Sequence, residues 1–144
     1  MRHSKIMEER IRRVKVLFKE LGYKIFNAQY ADDVYTAGFE KEDGLQGGIF
    51  IDSESKFLEI TYTFSFSVSL SDFLKKKLED MMKVCYEYGC YTNIQKDEKG
   101  ISFSVFTKIY FAGLNYYSLR DSLKDFNECV DVLTEMLVIR KQNN

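Results

Sequence analysis

Leu58-Glu59-Ile60-Thr61-Tyr62-Thr63-Phe64-Ser65-Phe66-Ser67-Val68 decides the fold of this chain. Leu58, Ile60, Tyr62, Phe64, Phe66 and Val68 fall on one side of an extended backbone. Glu59, Thr61, Thr63, Ser65 and Ser67 fall on the other. Side chains of a strand alternate with period two, so this pattern predicts a strand with one core face and one polar face. A sheet covered on one side only is characteristically antiparallel. The strand runs into Ser69-Leu70-Ser71-Asp72, which reads as a helix N-cap with an acid three residues on. Leu74, Leu78, Met81, Met82, Cys85 and Tyr88 then form an apolar stripe at helical spacing, and Gly89 ends it.

Upstream, two more strands are expected. Residues 33–41 place Tyr35, Ala37 and Phe39 on one face, and residues 48–52 carry Ile49 and Ile51. Turns rich in Gly, Asp and Ser separate them. Further upstream, Ile6, Ile11, Val14, Leu17, Phe18 and Leu21 make the apolar arc of a helix over residues 4–21, stopped by Gly22. Arg10 falls inside that arc, either snorkelling at the core edge or contacting a buried anion. Downstream, residues 90–96 and 101–111 read as a hairpin around Asp97-Glu98-Lys99-Gly100. A last helix starts at Ser118-Leu119-Arg120-Asp121, a second cap of the same kind as the one at Ser69. Its stripe of Leu119, Leu123, Phe126, Val130, Leu133 and Leu137 is widened by Cys129, Val132, Met136 and Ile139 to an arc of about 200°. Such a helix is either sandwiched by two elements of its own chain or meets a second chain. The expected architecture is a single α+β domain over residues 1–144. It has an antiparallel five-stranded sheet and three helices in the order α-β-β-β-α-β-β-α.

Composition narrows the function classes. The 144 residues carry 21 Lys and Arg against 22 Asp and Glu, for a formal charge of −1. Without a basic footprint, nucleic acid is not expected as a partner. The apolar runs are too short for a membrane helix, so no membrane is expected. The N-terminus is charged from Arg2 to Arg13 with no apolar stretch of the secretory kind behind it, and the expected location is the cytoplasm. Cys85, Cys90 and Cys129, an odd set without a signal peptide, read as free thiols. His3 is the sole histidine. No base is therefore expected beside a Ser or Cys nucleophile, and no metal or cofactor site is expected. Asp32-Asp33 and Glu42-Asp43 lie in turns, where carboxylates are solvated. Gly44, Gly47 and Gly48 lack the Lys-Ser or Lys-Thr and the following helix of a phosphate loop. Residues 99–106, Lys99-Gly100-Ile101-Ser102-Phe103-Ser104-Val105-Phe106, match an RNA-recognition strand only in part, and a hairpin with a core strand accounts for all eight.

The chain is 15% aromatic, with 12 Phe and 10 Tyr, a composition suited to strands and contact surfaces. On the polar sheet face, Phe57, Thr61, Thr63, Phe106, Lys108 and Tyr110 form either a binding surface or a packed layer. The candidate partner-binding residues are Phe57, Phe106 and Tyr110 on the sheet with Val132, Met136 and Ile139 on the last helix.

The order of elements from Ile6 to Ile139 resembles the type III secretion chaperone-like fold, an architecture shared by the YbjN family of bacterial proteins. The resemblance is one of topology, without signature residues. It implies a bacterial homodimer whose antiparallel sheet packs against the helices and which holds a segment of a partner protein in extended form. YbjN-like proteins are described as candidate regulators. The expected function is thus a non-enzymatic protein-binding domain. A regulatory or immunity-type protein binding a folded partner is the alternative. A small ligand-binding domain or enzyme with an unrecognised site is the third class.

Overall fold

The protein is described here by a computed structural model covering residues 4–138. Helix α1 (Lys5–Glu20) is followed by strands β1 (Lys24–Ala31), β2 (Val34–Glu40), β3 (Gln46–Asp52) and β4 (Phe57–Phe66). Then come helix α2 (Ser71–Glu87), strands β5 (Tyr91–Lys96) and β6 (Ile101–Tyr110), and helix α3 (Tyr116–Leu137). The six strands form one antiparallel sheet in the order β1-β2-β3-β4-β6-β5. The α+β class and the antiparallel sheet are as expected, but the sheet has six strands where five were expected.

The extra strand is β1, and its disguise is a β-bulge. The register passes from Phe26↔Gly38 to Gln29↔Thr36, so two residues oppose one. Asn27 takes φ 54° there, a conformation asparagine tolerates well. Ile25 and Tyr30 both pack on the core although they are five residues apart, an odd spacing that breaks period two. Asp32 and Asp33, both at positive φ, close the two-residue hairpin to β2.

The core lies between the inner sheet face and the helices. Leu58 and Ile60 of β4 are fully buried, together with Phe39, Ile49, Ile51 and Val105 from neighbouring strands. Tyr62, Phe64 and Phe66 point the same way but are only half-buried. In α1 the inward side chains are Met7, Ile11, Val14 and Phe18. Ile6, expected in the core arc, is exposed, because one residue step on a helix rotates the side chain by about 100°. The same step leaves Met82 exposed beside buried Met81 in α2. The caps also differ from expectation. Ser67 caps a short 3-10 turn at Val68–Leu70 that leads into α2, so Ser69 is not the cap. Asn115 caps α3, with Ser118 as the reciprocal partner of a capping box. Helix α3 packs on β6, α1 and α2 at once, so its broad stripe is largely used within the chain. Leu119, Leu123, Phe126, Cys129, Val130 and Leu133 are buried there.

Arg10 makes no ion pair among the described residues. Its guanidinium stacks 4.5 Å from the centre of the Phe111 ring and donates to the Ser55 carbonyl at 3.0 Å. Arg13 donates to the carbonyls of Phe111 and Leu114. The two arginines pin α1 to the connection between β6 and α3.

Candidate binding site

Two surfaces stand out, one on each side of the sheet. The first is a groove of about 220 Å³ between α2 and the β5–β6 hairpin. Helix α2 contributes Leu74, Leu78 and Met81, β5 contributes Ile94, and β6 contributes Ile101 and Phe103. Lys75 and Lys96, with Ser71, complete its rim. Its origin is legible in the helix. Met81 and Cys85 at the end of α2 are buried, whereas Leu74 and Leu78 earlier in α2 are only partly covered. Phe64 and Phe66 at the end of β4 are half-buried as well. The core thus opens toward one end of the molecule.

Strand β5 makes this opening accessible. It is the last strand in the sheet order and pairs only with β6. Its outer edge offers unpaired backbone donors and acceptors, a template for another strand. Ile94, directed to the helix side, is 43% exposed. No β-bulge interrupts the register from Tyr91↔Phe106 to Lys96↔Ile101. The turn behind it is rigid, because the Asp97 carboxylate accepts from the backbone N–H groups of Lys99 and Gly100 at 2.8 and 3.1 Å.

The second surface is the helix-free face of the sheet. Phe57, Phe106 and Tyr110, named from alternation alone, do come together there. Phe57 and Tyr110 meet edge-on at 5.6 Å between ring centres, and Phe106 stacks on Tyr91 at 5.8 Å. Lys108 bridges the two pairs, its Nζ 4.6 Å from the Phe57 ring centre and 4.5 Å from that of Tyr91. Burial pushes the carboxyl of Glu59, paired opposite Lys108, up from its ordinary value, and the Lys108 charge offsets part of that rise. Val132 and Met136 lie on α3 in the other layer and are half-buried, Met136 against the core. Ile139 lies outside the described residues. The six candidate residues therefore do not form one site.

The three cysteines are free and converge between α2, β5 and α3. Cys129 lies close to both Cys85 and Cys90. The hydrogen bond to Cys129 and burial push the Cys85 thiol far up, and Cys129 is pushed up to about 12. Among the described residues, no group of three or more His, Cys, Asp or Glu is arranged to hold a metal ion. No described helix is long and apolar enough to cross a membrane.

Solved structures share this arrangement. An uncharacterized protein from Methanothermobacter thermautotrophicus superposes with a TM-score of 0.68 at 15% identity, covering 90% of this chain and 96% of that one. YbjN of E. coli, a candidate transcription regulator, superposes with a TM-score of 0.60 at 12% identity, with the same coverage. The fold is YbjN-like. At such identities the likeness extends to architecture alone. No protein-family model matches the sequence, and no curated protein matches it. Within this YbjN-like frame, sequence reasoning missed Tyr91, which joins the aromatic cluster only through the β5–β6 register. It also missed the groove, because Leu74, Leu78, Met81, Ile101 and Phe103 in its lining read as ordinary core positions.

Proposed function

We propose that this chain works by binding and not by catalysis. In this reading it takes an extended segment of a partner protein along the outer edge of β5. The observation that carries the reading is the apolar groove lying directly beside an unpaired, unbulged sheet edge. Strand addition supplies main-chain hydrogen bonds, and pockets under alternate side chains supply selectivity. The groove volume suits two or three apolar side chains and is too small for a folded surface. The YbjN-like architecture is compatible with this use.

The test is amide hydrogen exchange with a synthetic nine-residue peptide of alternating valine and threonine in excess. Protection is expected across Tyr91–Lys96, and Ile94→Lys should abolish it while leaving the circular dichroism spectrum unchanged. Unchanged exchange along β5 in the wild-type protein, at millimolar peptide, would sink the reading.

A second reading rests on the aromatic face. Phe57, Phe106, Tyr91 and Tyr110 with Lys108 make a flat, partly apolar patch suited to a folded partner or to a second copy of the chain. Tyr110, at 58% exposure, is its most open ring. A homodimer through this face should lose affinity on Tyr110→Asp in sedimentation equilibrium. A wild type that stays monomeric at high micromolar concentration removes the dimer.

A further inference from the structure

We infer that the segment captured beside β5 carries a carboxylate two residues from an apolar anchor, on the side chain face directed at α2. This rests on the strand-capture reading and adds the chemistry of the partner. The groove is apolar except at its rim, where Lys75 of α2 and Lys96 of β5 bring two cations and no carboxylate contributes to the lining. Neither lysine has an ion pair among the described residues. Asp97, next to Lys96 in sequence, is engaged with the backbone of its own turn, and Asp72 and Glu79, on the same helix as Lys75, do not line the groove. The chain as a whole carries a formal charge of −1, so a rim bearing only cations is not a general property of its surface.

Register turns this charge pattern into a sequence pattern. Thr92, Ile94 and Lys96 face the helix layer, because their partners Val105, Phe103 and Ile101 are core residues. A strand added outside β5 places the residues opposite Ile94 and Lys96 on that same face. These two positions are separated by one residue, about 6.8 Å along the strand. Directly opposite residues interact as cross-strand pairs, so an apolar side chain is favoured opposite Ile94 and an acid opposite Lys96. Lys75, across the groove, faces the same carboxylate. A lysine at that position in the partner would meet two like charges.

The experiment compares two synthetic peptides of alternating valine and threonine, one with a single valine replaced by glutamate and one with the same valine replaced by lysine. Binding is followed by NMR titration of the full chain at low salt, with shifts of the β5 and α2 amides as the readout. The glutamate peptide should bind about tenfold more tightly than the lysine peptide. That preference should shrink in 0.5 M salt and vanish in Lys75→Gln with Lys96→Gln, a double substitution on exposed side chains that leaves the fold intact. Equal binding of both peptides overturns the charge preference while strand capture stands. Binding of neither overturns both.

Discussion

At the scale of single residues, close backbone approach and burial set sharp requirements. A Cβ on Gly47 would stand 2.4 Å from the Thr61 carbonyl oxygen on the neighbouring strand and 3.1 Å from the Phe39 ring. Backbone cannot yield as a flexible side chain can. Gly47→Ala should therefore destabilise the protein by about 1–3 kcal/mol in urea unfolding. By contrast, a Cβ on Gly38 would meet only the end of the Phe26 ring, which can swing away over the open sheet face. Tyr35 gives a prediction of opposite sign. Its ring is buried and its hydroxyl finds no hydrogen-bond partner among the described residues, so Tyr35→Phe should be neutral or stabilising by about 1 kcal/mol. The thiols are a third case. Cys90 is half-exposed, while Cys85 and Cys129 are buried and held protonated. Iodoacetamide at pH 8 should label Cys90 first and the other two only on unfolding. The folded-state value of Cys129 lies above its ordinary one, so its contribution to stability is complete below about pH 9. It is lost as pH rises toward about 12.

At the scale of elements, α1 is held as much by its arginines as by its apolar stripe. Arg13 satisfies two carbonyls at the turn after β6, where the chain leaves the sheet for α3. Arg13→Met keeps most of the side chain volume but removes both donors. It should cost about 2 kcal/mol, measured as a shift in the urea midpoint without a change in slope. How much of each element was legible depended on how regular it is. The alternation in residues 58–68 fixed the inner face of β4, and the alternation in residues 101–111 put Phe106 and Tyr110 on the outer face of β6. β1 stayed hidden because its bulge puts Ile25 and Tyr30 on the same side at an odd spacing. Ile6 and Met7 compete for one inward position at the start of α1. Periodicity alone does not choose between adjacent apolar residues; the packing against the rest of the core does. The groove was invisible for another reason. Leu74, Leu78, Ile101 and Phe103 read as core residues from the sequence, yet Leu74 and Leu78 are only partly covered and Ile94 beside them is exposed.

At the scale of the whole molecule, the strand order has a kinetic consequence. Strands β1 to β4 form a meander of sequential hairpins, and β5–β6 is a hairpin of its own. The two halves join only where β4 meets β6, through ten residue pairs from Phe57↔Tyr110 to Phe66↔Ile101. Loop closure across α2 and β5 must precede any of those pairings, and this non-local step is the entropic bottleneck of folding. Substitutions along the seam, such as Ile60→Val, should slow refolding in stopped-flow chevrons. Substitutions at the two outer strands should chiefly speed unfolding. Until the seam closes, the ladders of β4 and β6 are themselves unpaired apolar edges. A nascent or heat-stressed chain would therefore aggregate through these central strands, well before its permanent edge at β5 comes into play.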